Sequence, residues 1–220
     1  KKLGGNKTDR FFGLALDSTG GFAVVGCTNS KGAGNKDAWV VKCNYKGEVE
    51  WEKTYGDYGE EEAFAIDNTN DGGYVITGYN KTKGNKNGLV WTLKLDHAGK
   101  VLWESAYGGD RGGGIPTDVG NAIISNSTGY TVAAHTRSFG AGDEDMWVLK
   151  LNMQGDTLWT KTYGGKEEEK AFGIINTDNG TVVAGYTESK GAGSEDVWLV
   201  GIDGEGELLW DQTYGGHSND

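Results

Sequence analysis

DAWVVKCNYKGEVEWEKTYG, residues 37–56, is the stretch that decides the fold, because the chain repeats it. It returns as LVWTLKLDHAGKVLWESAYG at 89–108, DMWVLKLNMQGDTLWTKTYG at 145–164 and DVWLVGIDGEGELLWDQTYG at 196–215. All eight tryptophans fall in two columns, Trp39, Trp91, Trp147 and Trp198 in one and Trp51, Trp103, Trp159 and Trp210 in the other. Both columns step by 52, 56 and 51 residues, so the third copy carries a short insertion. A fixed period of this size marks a repeat architecture built from one supersecondary unit.

Each phrase holds two strands joined by an [ND]-x-x-G turn: NYKG, DHAG, NMQG and DGEG. Working outward, two more short strands precede each phrase, FFGLAL and GFAVVG in the first copy and EAFAID and GYVITG in the second, with Gly- and Asn/Asp-rich turns between them. The strand with the first tryptophan is apolar on both faces, as an interior strand should be. The strand with the second alternates, Val49, Trp51 and Tyr55 against Glu48, Glu50 and Glu52, and reads as an edge on which Lys53 and Lys161 would discourage foreign pairing. A unit of about 50 residues with four antiparallel strands cannot bury both its faces alone, and radial stacking of such units solves the problem. The expected fold is all-β, a β-propeller of four four-stranded antiparallel blades, with a piece of a larger propeller as the alternative. Residues 1–220 form one such domain in this reading, with blades at 3–54, 55–106, 107–162 and 163–213, and 214–220 repeating the inter-blade turn. Because KKLGG at the start and QTYGG near the end duplicate that turn, the reading includes self-association through the termini.

The phrases W-x-K-T-Y-G-G, D-G-G-Y-x-x-x-G and D-x-W-[VL]-[VL]-K-x-[DN]-x-x-G-x-x-x-W resemble the tandem β-propeller repeats of secreted and surface proteins of archaea and bacteria. That resemblance spans nearly the whole chain and implies an extracellular or cell-surface location, no catalysis, and an adhesion or scaffold role. The [ND]-x-x-G-x-x-x-W step also resembles the tryptophan-docking turn of quinone-cofactor propellers, where the tryptophans lock blade to blade; the same structural role is expected here.

Composition narrows the partners. A formal charge of −11 leaves no excess of Lys or Arg for phosphates, which argues against nucleic acid and an anionic membrane surface. No apolar run approaches the roughly 20 residues of a spanning helix. The histidines His97, His135 and His217 show no metal-ligand spacing, and neither a nucleophile elbow nor a phosphate-binding loop is present. The reading is therefore a non-enzyme with no required cofactor, whose partner is a protein or a glycan; a lectin-like propeller is the runner-up and a hydrolase a distant third. Cys27 and Cys43 sit on neighbouring strands. With the hairpin turning near Ala33, Cys27 faces Trp39 and Cys43 faces residue 23, on one side of the sheet but on the order of 13 Å apart at about 3.3 Å per residue. That exceeds the roughly 7 Å between Cα atoms that a disulfide allows, so free buried thiols are expected.

Two regions attract a functional reading. The loops between second and third strands and those between blades should share one face, made acidic by Glu60, Glu61, Glu62, Glu167, Glu168 and Glu169. Asp37, Asp145 and Asp196 recur there before the third-strand tryptophan, either as turn caps or as oxygen donors that suit Ca²⁺. The third copy is the deviant one, with the insertion at Asp110–Thr117 and the only proline, Pro116. Its Arg111, His135, Arg137 and Phe139 form the candidate patch for a glycan or an acidic peptide group. Sequons at Asn6, Asn80, Asn126 and Asn179 are candidate glycosylation sites.

Overall fold

In the computed structural model the described residues are 3–17, 19–81, 88–109 and 118–217. They form four antiparallel sheets of four strands each. Blade one holds β1 (Asp9–Leu16), β2 (Phe22–Thr28), β3 (Asp37–Cys43) and β4 (Val49–Tyr55); blade two holds β5 (Glu61–Asn68), β6 (Tyr74–Asn80), β7 (Leu89–Leu95) and β8 (Val101–Tyr107). Blade three holds β9 (Asp118–Asn126), β10 (Gly129–Thr136), β11 (Asp145–Leu151) and β12 (Thr157–Tyr163); blade four holds β13 (Glu169–Thr177), β14 (Gly180–Thr187), β15 (Asp196–Ile202) and β16 (Leu208–Tyr214). Strands follow one another in chain order across every sheet. Contacts between sheets concentrate on the first strands, β1 on β5, β5 on β9 and β9 on β13, so these lie innermost and the fourth strands outermost.

Four blades of a β-propeller result, stacked through three apolar junctions. Ala15, Ala23, Val25, Ala38 and Val40 of blade one meet Ala63, Ile66, Tyr74, Ile76, Trp91 and Leu93 of blade two. Val75 and Val90 then meet Ile123, Tyr130, Val132 and Trp147, and Met146 and Val148 meet Val183, Trp198 and Val200. β7 and β11 are buried on both faces because each lies between two neighbouring blades, while the second face of β3 is covered by Leu3, Phe22, Val24 and Val49 of its own blade. Among the described residues no comparable contact joins blade four to blade one, so the arc is open between them.

The second tryptophan column locks each junction from outside. Trp51 donates its indole N–H to the His97 carbonyl at 3.2 Å, and Tyr55 its hydroxyl to the Gly99 carbonyl at 2.7 Å. Trp103 and Tyr107 repeat this on Met153 (3.0 Å) and Gly155 (2.6 Å), and Trp159 and Tyr163 on Gly204 (3.0 Å) and Gly206 (2.7 Å). The glycine of each turn is required twice over. Gly99, Gly155 and Gly206 have φ of 74–83°, and a Cβ there would come within 2.8–2.9 Å of the docked indole. Lys53 and Lys161, expected to guard an edge, instead reach the next blade: Lys53 Nζ donates to the Ala98 carbonyl at 2.7 Å and Lys161 pairs with Glu207.

The β2–β3 hairpin register differs by one residue from expectation. Gly26 pairs with Trp39, Cys27 with Ala38 and Cys43 with Phe22. Because side chains alternate along a strand, this slip puts the two cysteines on opposite faces of the sheet. Both are buried and neither is in a disulfide, and Cys43 packs with Trp39 and Val41.

Candidate functional site

One residue of each first strand is bulged out of the ladder: Phe12, Phe64, Asn121 and Phe172. These side chains sit at the innermost strands, where Phe12 and Phe64 meet at 5.2 Å between ring centres. Asn121 breaks the aromatic series and nucleates a polar cluster at the junction of blades three and four. Its amide nitrogen reaches His135 Nδ1 at 2.8 Å and the Ala171 carbonyl at 2.7 Å. An amide N–H pointing at Nδ1 makes that nitrogen the acceptor and leaves the ring proton on Nε2. Burial pushes the His135 imidazole down to about 4, against the pull of Glu144.

Glu144 is the hub of the charges around that imidazole. It pairs with Arg137 and, at 2.6 Å, with Lys170 Nζ; Lys170 also meets Glu168 at 3.2 Å. Burial works against the Glu144 charge, but Lys170, His135 and Arg137 outweigh it and hold the carboxyl below its usual range. Tyr186 completes the set, its hydroxyl 3.4 Å from Glu168. The cluster is self-compensating: every charge in it has an opposite charge in contact, an arrangement that fixes a junction and keeps an imidazole neutral.

The candidate patch on the third copy therefore divides. His135 and Arg137 join the inner cluster, whereas Phe139 turns outward onto Trp147 (5.3 Å) and lines an outer groove with Tyr107, Thr160 and Lys161. Arg111 and the Asp110–Thr117 insertion lie outside the described residues. Asn121, Glu144, Lys170 and Tyr186 escaped the sequence reading. The signal was there in the repeat columns, since Lys36 and Glu62 of the first junction occupy the positions of Glu144 and Lys170 with the signs exchanged.

The acidic face is not a free acidic rim. Glu62 pairs with Lys36 at 2.5 Å, Glu60 with Lys81 at 2.9 Å, and Glu61 and Glu169 are fully buried. The loops do lie side by side as expected, with the Asn35 N–H on the Gly59 carbonyl and the Glu169 N–H on the Glu144 carbonyl. Asp37 accepts the backbone N–H groups of Ala33 and Gly34, Asp145 that of Gly142, and Asp196 those of Ala192 and Gly193. All three are buried loop caps. Among the described residues no group of three or more His, Cys, Asp and Glu side chains could hold a metal ion. Of the sequons, Asn6 and Asn179 are exposed, Asn126 is half-buried, and Asn80 ends β6 inside the fold with no surface for a glycan.

A second recess, of about 390 Å³, lies between blades three and four and is lined by Asn126, Thr128, Thr131, Lys150, Asn176 and Thr181. Lys42 and Lys94, at the position of Lys150 in blades one and two, meet carboxylates, Asp17 at 2.5 Å and Asp71 at 2.9 Å. Lys150 donates only to the Thr131 hydroxyl at 3.2 Å among the described residues, and burial lowers its ammonium pKa.

No known protein family matches the sequence, and neither does any curated protein. Solved β-propeller structures do resemble the fold. The neuraminidase-like protein of A/little yellow-shouldered bat/Guatemala superposes with a TM-score of 0.50 at 12% identity, over 91% of this chain and 57% of that one. Sqt1 of Chaetomium thermophilum gives 0.46 at 12% identity, over 93% of this chain and 49% of that one. Levansucrase of B. megaterium gives 0.46 at 12% identity, over 95% and 69%. The chain spans about half to two thirds of the length of these structures, and the likeness is one of fold alone. No helix among the described residues is long and apolar enough to cross a membrane.

Proposed function

We infer that this chain is a non-catalytic interaction and scaffold module of a secreted or cell-surface assembly, and that it works through a blade face rather than a pocket. One observation carries the reading. The outward-facing side of blade four, the counterpart of the face that blade one buries against blade two, is uncovered and apolar. Ile175 is 60% exposed where Ala15 is buried, and Trp210 and Tyr214 are 46% and 56% exposed where Trp51 and Tyr55 dock. Val197 is likewise exposed where Ala38 is buried. A contiguous apolar face of this kind marks an interaction surface in a water-soluble fold. The charge clusters support the same reading, since their groups are engaged with one another. Exposed sequons at Asn6 and Asn179 and the net charge of −11 suit the extracellular setting.

Tryptophan quenching tests whether the face is available. In dilute solution acrylamide should quench the wild-type chain more strongly than Trp210→Phe, because Trp39, Trp91 and Trp198 are fully buried. Equal quenching of the two would mean that blade four is already covered within one chain, and the reading would fall.

A further inference from the structure

We propose that the partner of blade four is a second copy of this chain, docked head to tail so that Trp210 and Tyr214 of one copy close on the Asn44–Gly47 turn of the next. This rests on the interaction reading above and names its partner. Three turns of the [ND]-x-x-G type each hold the tryptophan and tyrosine of the preceding blade. Among the described residues the fourth, Asn44-Tyr45-Lys46-Gly47, holds none. Gly47 has the same conformation as its counterparts, φ 76°, yet a Cβ placed on it would meet nothing within 4 Å, whereas those on Gly99, Gly155 and Gly206 would strike an indole. Tyr45 is exposed. The structure thus holds one docking pair without a turn and one docking turn without a pair.

The faces behind these two features match as well. Leu14 of blade one is 68% exposed, while Ile66 and Ile123, its counterparts in blades two and three, are 7% and 5% exposed beneath the preceding blade. Carried over from the three internal junctions, the docked geometry has the Trp210 indole N–H on the Tyr45 carbonyl and the Tyr214 hydroxyl on the Gly47 carbonyl. Leu3 already packs against Trp39, Val41 and Cys43, so the incoming face completes a surface that is partly seated.

The open arc favours another copy over closure within one chain: among the described residues blade four makes no contact with blade one comparable to those of the three internal junctions. The contact is heterologous, so copies close into a ring if the rotation allows and otherwise extend.

Sedimentation and light scattering of the whole chain, from micromolar to hundreds of micromolar, test the proposal. The wild type should associate with rising concentration. Trp210→Ala and Gly47→Asn should each weaken association by roughly thirtyfold or more, the scale of an interfacial tryptophan hot spot. Asparagine tolerates the positive φ, and Gly72→Asn is the folding control: Gly72 has φ 79°, an equally open Cβ direction and no place in the docking edge. Mixed together, Trp210→Ala and Gly47→Asn should form a pair that grows no further, because each keeps one intact face. Association that neither substitution changes overturns the proposal. A monomer at all concentrations whose Trp210 is quenched overturns it while leaving the interaction reading in place; a monomer whose Trp210 is shielded overturns both.

Discussion

The first and third junctions place the same kind of ion pair at the same positions with opposite sense. Between blades one and two Lys36 reaches forward to Glu62, beside Cys27 and Tyr79; between blades three and four Glu144 meets Lys170, beside His135 and Tyr186. In both, the neighbour on the earlier blade is kept neutral by burial, the Cys27 thiol pushed up to about 12 and the His135 imidazole down to about 4. Charge is compensated at both junctions, in opposite directions, whereas the same positions of the second junction hold the uncharged Gly88 and Val119. What differs is depth: the Glu144 side chain is far more buried than that of Lys36.

The deeper pair should break hardest. Lys170→Met strands Glu144, and a loss of about 3 kcal/mol is expected in urea unfolding, near the low end for a broken buried pair because Arg137 remains beside the carboxylate. Acid should reveal the same pair. A carboxyl held low in the fold contributes fully above the unfolded value of 4.5 and loses that contribution as pH falls through its folded value.

His135 acts at higher pH. An unfolded imidazole takes its proton below 6.5 whereas the folded one waits until about 4, so stability should fall between those values by on the order of 2–3 kcal/mol. His135→Tyr, which installs the residue of Tyr79 and Tyr186, should flatten melting temperature against pH across that window. An unchanged slope would show that the imidazole is not the cause.

The shallower pair should cost less. Lys36→Met leaves Glu62 with the Tyr79 hydroxyl at 2.6 Å, and about 1–2 kcal/mol is expected. The double exchange Lys36→Glu with Glu62→Lys makes the first junction resemble the third and should recover most of that loss; failure to recover would show that direction matters after all. The smallest effects are chemical. Cys27 should resist thiol reagents until the chain unfolds. Lys150, whose ammonium pKa burial lowers, should be acylated at neutral pH ahead of Lys42, whose pKa its carboxylate partners raise against burial. Mass mapping of both checks this.

Sequence alone determined the repeat, the sixteen strands and the blade-locking role of the second tryptophan column. These are written in local spacing: strands alternate with a period of two, turns need glycine at positive φ, and both signals survive one-dimensional reading. The candidate site was legible only in part. That blade three is irregular could be read from His135 and Arg137, but their partners could not, because Glu144 and Lys170 meet across a junction between residues 26 apart. The single-residue slip in the β2–β3 hairpin, which separates Cys27 from Cys43, and the use of Asp37, Asp145 and Asp196 as loop caps depend on how the loops close in space. Tertiary structure alone decided which of four equivalent docking turns is empty. Trp210 looks like Trp51 in the sequence, and only the open side of blade four among the described residues leaves its indole exposed.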